Sequence, residues 1–295
     1  MKSQSLAYKY ALIAIFFWST VATAFKIALE YLNPTALVFY ASLSSMFVLL
    51  FVIIIKKQLK NVALYIRSNI KMVILLAFIN PFLYYLVLFK AYDALPAQEA
   101  QAINYTWALM LTFLSVIFLK QKLTINDIIA GIICYFGVLI IATKGSPFSL
   151  NFSNIQGVTL ALLSTILWSS YWIINTKTKV DPIIGLFSNF IVALPIIGLY
   201  GYIDGSLDIT LNSKAILAAV YIGFFEMGLT FLFWLNAMQY AQSTSKIANL
   251  IFISPFLSLI FIHFILDEKI YYSTLFGLIT IIFGLIIQQF KNSSS

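Results

Sequence analysis

Residues 80–91, NPFLYYLVLFKA, return in altered form as residues 226–237, EMGLTFLFWLNA. At a shift of 146 positions Asn80 meets Glu226 and Ala91 meets Ala237; carried onward, Ala102 meets Ala248, Leu111 meets Leu257, Phe118 meets Phe264 and Gly131 meets Gly277. The stretches 80–137 and 226–284 therefore share an order of landmarks, with one-residue slips around Lys122/Lys269 and inside the last apolar segment. Upstream, Phe17-Trp18-Ser19-Thr20 answers Leu167-Trp168-Ser169-Ser170 at a shift of 150. We read two homologous halves of five apolar segments each, residues 1–144 and 157–291. The fold class expected is an all-α membrane protein, with ten transmembrane helices arranged as two inverted five-helix repeats.

Composition sets the solvent. With 62% hydrophobic and 9% charged residues and a mean hydropathy of +0.97, almost no stretch can fold with a polar exterior in water, and the apolar runs are long enough to cross a bilayer. The net charge of +8 does not point to nucleic acid, because the cations are scattered through short connections; they suit loops that face anionic membrane lipid. The lone cysteine, Cys134, sits within an apolar run and suits packing.

The expected spans, in order, are 10–29, 35–55, 72–92, 97–119, 125–143, 157–176, 183–202, 215–240, 245–266 and 271–290. Ala22-Thr23-Ala24 resembles a signal-peptidase site, but the apolar run continues past it, so the first run is read as a span. The segment from Lys56 to Lys71 is amphipathic and basic. The polar stretch 144–156 is the longest connection rich in turn formers and separates the halves. With the amino terminus inside, thirteen of the eighteen cations fall on inner connections, leaving Lys26, Lys90, Lys144, Lys214 and Lys269 outside. Both termini are then expected in the cytoplasm. Five spans per half is an odd number, so the halves lie upside down relative to each other, as in many carriers that work by alternating access.

On such a plan Asn80 and Glu226 are pseudo-symmetric and close to the midplane. Glu226 lies about 12 residues from the outer end of its span, about 18 Å at 1.5 Å per residue. An unpaired carboxylate there costs several kcal/mol, so it faces a wet cavity, pairs with a polar neighbour or carries a proton. A protonated Glu226 bonding across helices is the structural alternative to a role in transport. The span 97–119 supplies a second polar set: Gln98, Glu99, Gln101, Asn104, Tyr105 and Trp107. Gln101, Asn104 and Tyr105 fall on neighbouring faces at spacings of three and four, so that side cannot face lipid. Gln98 and Glu99 lie near the outer end, where an interfacial charge and a binding role weigh equally. Trp18 and Trp168 are either walls of the site or packed bulk. Trp18, Asn80, Tyr84, Glu99, Gln101, Asn104, Trp107, Trp168 and Glu226 are the candidate substrate-binding residues.

Trp18-Ser19-Thr20, Asn104-Tyr105-Thr106-Trp107 with Glu99 before it, Trp168-Ser169-Ser170-Tyr171, and Ser254-Pro255 ahead of Asp267-Glu268-Lys269 resemble the drug/metabolite transporter superfamily, and the halves are similar to its repeated EamA domains. Within that superfamily the run at 104–107 is most similar to that of an aromatic amino acid exporter, with Ala108 where that exporter has Pro. The resemblance implies ten helices, both termini inside, a central cavity lined by helices 1, 3, 4, 6, 8 and 9, and export of amino acids or related metabolites. Among its site residues it implies Trp107, Asn104 and Glu99.

The residues narrow the cargo. Phosphorylated compounds call for Arg or Lys in the site, and the sole arginine, Arg67, lies in a connection. Amides, hydroxyls and aromatic rings with one carboxylate suit a small zwitterion; the alternative is a carrier of cationic amines or other metabolites in the import direction. Protons are the candidate coupling ion; neither cofactor nor metal is expected, and the sequence is silent on oligomeric state. A membrane-embedded enzyme needs paired acids, a His cluster or a metal set, whereas this chain has one histidine, His263. The inverted halves also argue against a channel.

Overall fold

The computed structural model describes residues 3–148, 152, 154–207, 212–242, 246–247 and 250–289, and all regular structure among them is helical. Eight helices have the length and hydropathy to cross a membrane, and two shorter apolar helices complete ten. They are α1 (Gln4–Leu29), α2 (Pro34–Ile55), α3 (Leu59–Ala94), α4 (Ala97–Leu119), α5 (Ile125–Ala142), α6 (Ile155–Asn175), α7 (Pro182–Ile203), α8 (Ser213–Tyr240), α9 (Leu250–Leu266) and α10 (Tyr272–Gln289). Large apolar side chains such as Phe47, Phe51, Ile117, Phe264 and Phe276 stand exposed on them, a surface that suits hydrocarbon and not water. The expected start of α9 at Ser245, with Ala248, the expected end of α10 at Phe290, and Ser149 in the central connection lie outside the described residues.

Local chemistry sets the ends. Asn33 and Asn154 side chains each accept a backbone N–H of the first turn at 2.9 Å, Pro34 and Pro182 occupy first-turn positions where their missing N–H is harmless, and Thr124 with Asp127 forms a reciprocal capping box. At the other ends Lys57, Lys120, Asp267 and Gly205 take the left-handed conformation that stops a helix.

Segment lengths repeat between the halves. α2 and α7 each have 22 residues, α5 and α10 each 18, and Trp107–Leu119 and Ser254–Leu266 each 13. Tyr84–Ala94 and Thr230–Tyr240 each have 11 residues, at the same shift that aligned Asn80 with Glu226.

Three expected helices are more complex than their hydropathy implies. α3 starts at Leu59 instead of Met72 and is interrupted at Asn69, whose φ of −130° and ψ of 28° are not helical. α4 is broken between Asn104 and Trp107. α3 and α8 each contain a π-helical stretch, Phe78–Leu83 and Ile222–Leu229.

The chain forms two compact units that do not coincide with the sequence repeats: Met1–Phe89 with Lys179–Asp267, and Lys90–Thr178 with Glu268–Ser295. In the first, α1 packs on α8 and α9, α2 on α7 and α8, and α3 on α7. An aromatic ladder joins α1 to α8. Tyr240 stacks on Tyr10 with centroids 5.8 Å apart, Tyr10 on Phe233 at 6.4 Å, Phe233 on Phe17 at 6.2 Å and Phe17 on Phe225 at 4.0 Å. Beside it Ala7, Ala11, Ala237 and Ala241 are fully buried, their small side chains allowing close approach. Gly223 serves the same end between α8 and α2, since a Cβ there would lie 2.2 Å from the Ala41 carbonyl oxygen.

In the second unit α5 packs on α10 and α4 on α6. Gly137 and Gly277 abut: a Cβ on either would lie 2.7 Å from the other's carbonyl oxygen. A Cβ on Gly284 would lie 3.1 Å from the Ala130 carbonyl oxygen, and Cys134 Sγ donates to the Ile281 carbonyl at 3.3 Å. Gly223→Val and Gly137→Val should each force helices apart at a cost of about 1–3 kcal/mol or more. A clear drop in melting temperature of the purified protein is the expected readout, against little change for Gly205→Asn, whose Cβ site is open.

Candidate functional site

Glu226 owes its setting to the backbone around it. A π-helical turn widens the helix by one residue and leaves carbonyls poorly matched within the helix, and here α2 answers them. Ser44 Oγ donates to the Val220 carbonyl at 3.1 Å and Ser45 Oγ to the Met227 carbonyl at 3.0 Å. The Thr230 N–H bonds the Phe225 carbonyl, five residues back. Glu226 is half-buried; its Oε1 accepts the Tyr85 hydroxyl of α3 at 3.2 Å, while Oε2 has no hydrogen-bond partner among the described residues. One carboxylate oxygen is thus fixed and the other is available.

The matching stretch of α3 is built around Asn80-Pro81, where Asn80 is extended and Pro81 has no N–H to give. The Tyr84 N–H bonds the Ile79 carbonyl, again five residues back. Asn80 is 2% exposed and its side-chain oxygen has no hydrogen-bond partner among the described residues; the buried hydroxyls of Thr23 and Thr230 are in the same state. Such orphaned groups are uncommon in folded proteins and call for a reason. The partner of Glu226 is therefore Tyr85 and not its pseudo-symmetric counterpart Asn80. Tyr84 is buried with its ring edge-on to Tyr85, centroids 4.7 Å apart. Trp18 lies edge-on to Phe231 at 5.9 Å and tilted against Trp234 at 5.4 Å.

The remaining candidates belong to the second unit. Glu99 is fully buried, which removes the reading of it as an interfacial charge, and Gln101 is buried beside it. Gln98 is bound into the connection before α10. Its Nε2 donates to Glu268 Oε1 at 2.7 Å and to the Lys269 carbonyl at 2.9 Å, and its Oε1 accepts the Tyr271 N–H at 3.0 Å. The Glu268 carboxylate also accepts the Ala97 N–H at 3.1 Å, capping α4. Below the cap, Asn104 Nδ2 donates to Ser164 Oγ at 2.9 Å and Ser169 Oγ to the Trp107 carbonyl at 2.9 Å, so α6 is bonded to both sides of the break in α4. Trp168 is 8% exposed and stacks on Tyr171 at 5.7 Å; Trp172 meets it edge-on, and the Trp172 indole nitrogen is buried with no hydrogen-bond partner among the described residues.

The tryptophan–serine landmark acquires a physical meaning. Ser169 fastens Trp107, the first residue after the break in α4; Ser19 Oγ lies 3.2 Å from Ser254 Oγ, the first residue of the regular part of α9. In each half the landmark serine reaches the first residue of the regular helix that follows, through the backbone carbonyl of Trp107 in one and the side-chain hydroxyl of Ser254 in the other. Tyr85, Ser44, Ser45, Ser164 and Glu268 were not singled out from the sequence, although Tyr85 and Glu268, like Ser19, Ser169 and Ser254, stood within the landmark runs.

The sequence profile of the EamA-like transporter family matches residues 5–143 and again 155–288. The chain belongs to the EamA-like transporter family. Two relatives from Archaeoglobus fulgidus, each described as an uncharacterized transporter, are 23% identical, one over 93% of this chain and 95% of its own length, the other over 91% and 92%. A third from Clostridium kluyveri with the same description is 27% identical over 60% of this chain and 58% of its own. A crystal structure with 17% identity covers 97% of both chains at a TM-score of 0.64, a likeness of fold. The EamA family assignment and the apolar helices make this a multi-pass membrane transporter.

Removing the α4 cap should be visible without any transport assay. Glu268→Ala takes away the carboxylate that holds the Ala97 N–H and Gln98, and should lower stability by about 1–2 kcal/mol, read as a fall in melting temperature that Lys269→Ala does not reproduce.

Proposed function

We propose that the chain is a secondary transporter that exports small zwitterionic metabolites, amino acids among them, across the cytoplasmic membrane by alternating access, with protons as the coupling ion. The observation that carries this reading is Glu226: a carboxylate within a membrane-spanning helix, held by Tyr85 through one oxygen and open at the other. A carboxylate in that position is costly unless a positive charge joins it. A proton and the ammonium of a cargo molecule are alternative occupants of the open oxygen, and alternation between them is an antiport cycle: cargo leaves when a proton displaces it. Gln101, Asn104, Trp107 and Trp168 form a polar and aromatic set of their own within the second unit and are proposed as cargo-binding residues there. The absence of Arg from every span supports an unphosphorylated cargo.

A second reading, a cationic amine without a carboxylate, is favoured by one fact: the single acid at that depth has no cation in its own helix nearer than Lys214, in the first turn. Counterflow in liposomes with labelled amino acids and labelled amines as separate arms distinguishes the two.

Glu226→Gln keeps shape and hydrogen bonding while removing the titrating group. If the carboxyl carries the coupling proton, uphill transport and its pH dependence should vanish while exchange of labelled for unlabelled cargo survives. A Gln variant that pumps uphill with the wild-type pH profile refutes the coupling role. Trp107→Ala should reduce counterflow at least tenfold, on the order of the 1.4 kcal/mol that one polar or aromatic contact supplies, with expression and melting temperature near wild type; Asn104→Ala should lose as much counterflow and, because it also gives up the bond to Ser164, about 1 kcal/mol of stability. For orientation, a reporter fused after Ser295 should be cytoplasmic and one inserted at Ser149 external; the same side for both overturns the five-plus-five arrangement.

A further inference from the structure

Between α2 and the membrane-crossing part of α3 the chain carries Lys56, Lys57, Lys60, Arg67 and Lys71 and no acid; the nearest in sequence are Glu30 and Asp93. All five side chains are exposed. Asp181, at the start of the neighbouring α7, is occupied in capping, its Oδ1 accepting the Ile183 N–H at 2.8 Å. The helix that bears the cations is too long to be a span. Leu59–Ala94 has 36 residues, about 54 Å of helix against a hydrocarbon core of about 30 Å. Its excess lies at the amino-terminal end, and the break at Asn69 marks the boundary. Asn69 Nδ2 donates to the Tyr65 carbonyl at 3.3 Å and Ser68 Oγ bonds the Leu64 carbonyl, finishing the first helix with its own side chains. Leu59–Ser68 is therefore a separate segment joined at both ends to spans that leave the bilayer on the same side, which puts it at the lipid–water boundary.

Its surface fits that boundary. Val62 is buried against the protein, whereas Leu59, Leu64 and Ile70 are 50%, 65% and 43% exposed. Lys60, Leu64 and Arg67 follow one another at helical spacings of four and three, a stripe in which an apolar side chain lies between cations, and Lys71 follows just past the break. Apolar groups of this kind enter the acyl boundary while ammonium and guanidinium groups stay at the depth of the headgroups.

We propose that Leu59–Ser68, with the flanking Lys56, Lys57 and Lys71, is a docking surface for anionic phospholipid, its cations donating to lipid phosphodiester oxygens. Charge complementarity selects this occupant: five cations with no acid among them against a negative lipid surface. The lipid secures the end of α3, the helix that carries Asn80 and Tyr85. This inference depends on the membrane-spanning fold and is independent of the cargo and of the coupling role of Glu226.

The test uses the full-length protein in nanodiscs of phosphatidylglycerol and phosphatidylcholine in equal parts, extracted gently, with retained lipid counted by native mass spectrometry. Wild type should retain phosphatidylglycerol in excess. At about 1 kcal/mol per cation near the surface, the variant K56Q/K57Q/K60Q/R67Q/K71Q should lose that preference by on the order of tenfold or more, while K120Q/K122Q/K177Q/K179Q keeps it. A neutralised variant as selective as wild type, or an equal loss in the second variant, overturns the proposal. Wild type alone supplies a further check: the preference should fall steeply as sodium chloride rises from about 0.05 to 0.5 M, and a preference indifferent to salt refutes it. Inorganic phosphate compared with chloride at equal ionic strength should displace no more lipid; stronger displacement by phosphate would mark a soluble-anion site instead.

Discussion

Hydrocarbon offers no hydrogen bonds, so every departure from a regular helix inside a bilayer has to be completed by another part of the chain. This protein departs repeatedly, and the completing groups are mostly serines. Ser44 and Ser45 donate to carbonyls at and beside the π-helical stretch of α8, Ser169 donates to the Trp107 carbonyl at the break in α4, and Ser19 pairs with Ser254 at the start of the regular part of α9. A hydroxyl is suited to this work because it adds a donor with almost no volume, so a neighbouring helix can come close enough to use it. The irregular stretches are also where the polar candidates cluster. Asn80 and Glu226 sit in the π-helical turns, and Asn104 and Trp107 on either side of the break.

Much of the fold was legible because hydropathy and helix signals coincide. Spans bounded by Asn33-Pro34, Asp181-Pro182 or Lys56-Lys57 could be placed to within a residue or two. The break at Tyr105-Thr106 had no Gly or Pro to announce it, and the extension of α3 down to Leu59 was hidden because its mean character is too polar for a span. The partition into two units was also invisible: hydropathy marks where helices end, while packing decides which helices are neighbours. Ser19 and Ser254 are 235 positions apart, and no local pattern joins them.

For the site the lesson differs by residue. Glu226 could be found because a lone acid within a span is conspicuous, whereas its partner Tyr85 adjoins Tyr84 with nothing in the local pattern to rank one above the other. Gln98 and Glu99 looked alike from the sequence. Gln98 is spent on the connection before α10 through three side-chain hydrogen bonds, and Glu99 is fully buried. A polar residue in a span is thus a weak sign of function until its partners are known.

The seam between α5 and α10 says something about the origin of the plan. The two 18-residue helices coincide at a shift of 147 positions, one more than the shift that set Gly131 against Gly277 in the sequence; on it Gly137 corresponds to Gly284 and Ala130 to Gly277, so the contact of Gly137 with Gly277 is the counterpart of the contact of Gly284 with Ala130. Cys134 corresponds to Ile281, and these two touch each other, as only residues on a two-fold axis do. An interface in which residue i meets j while j meets i is the isologous form taken by two identical chains. The seam between α5 and α10 thus has the form of a contact between two identical chains, with Cys134 and Ile281 facing each other across it.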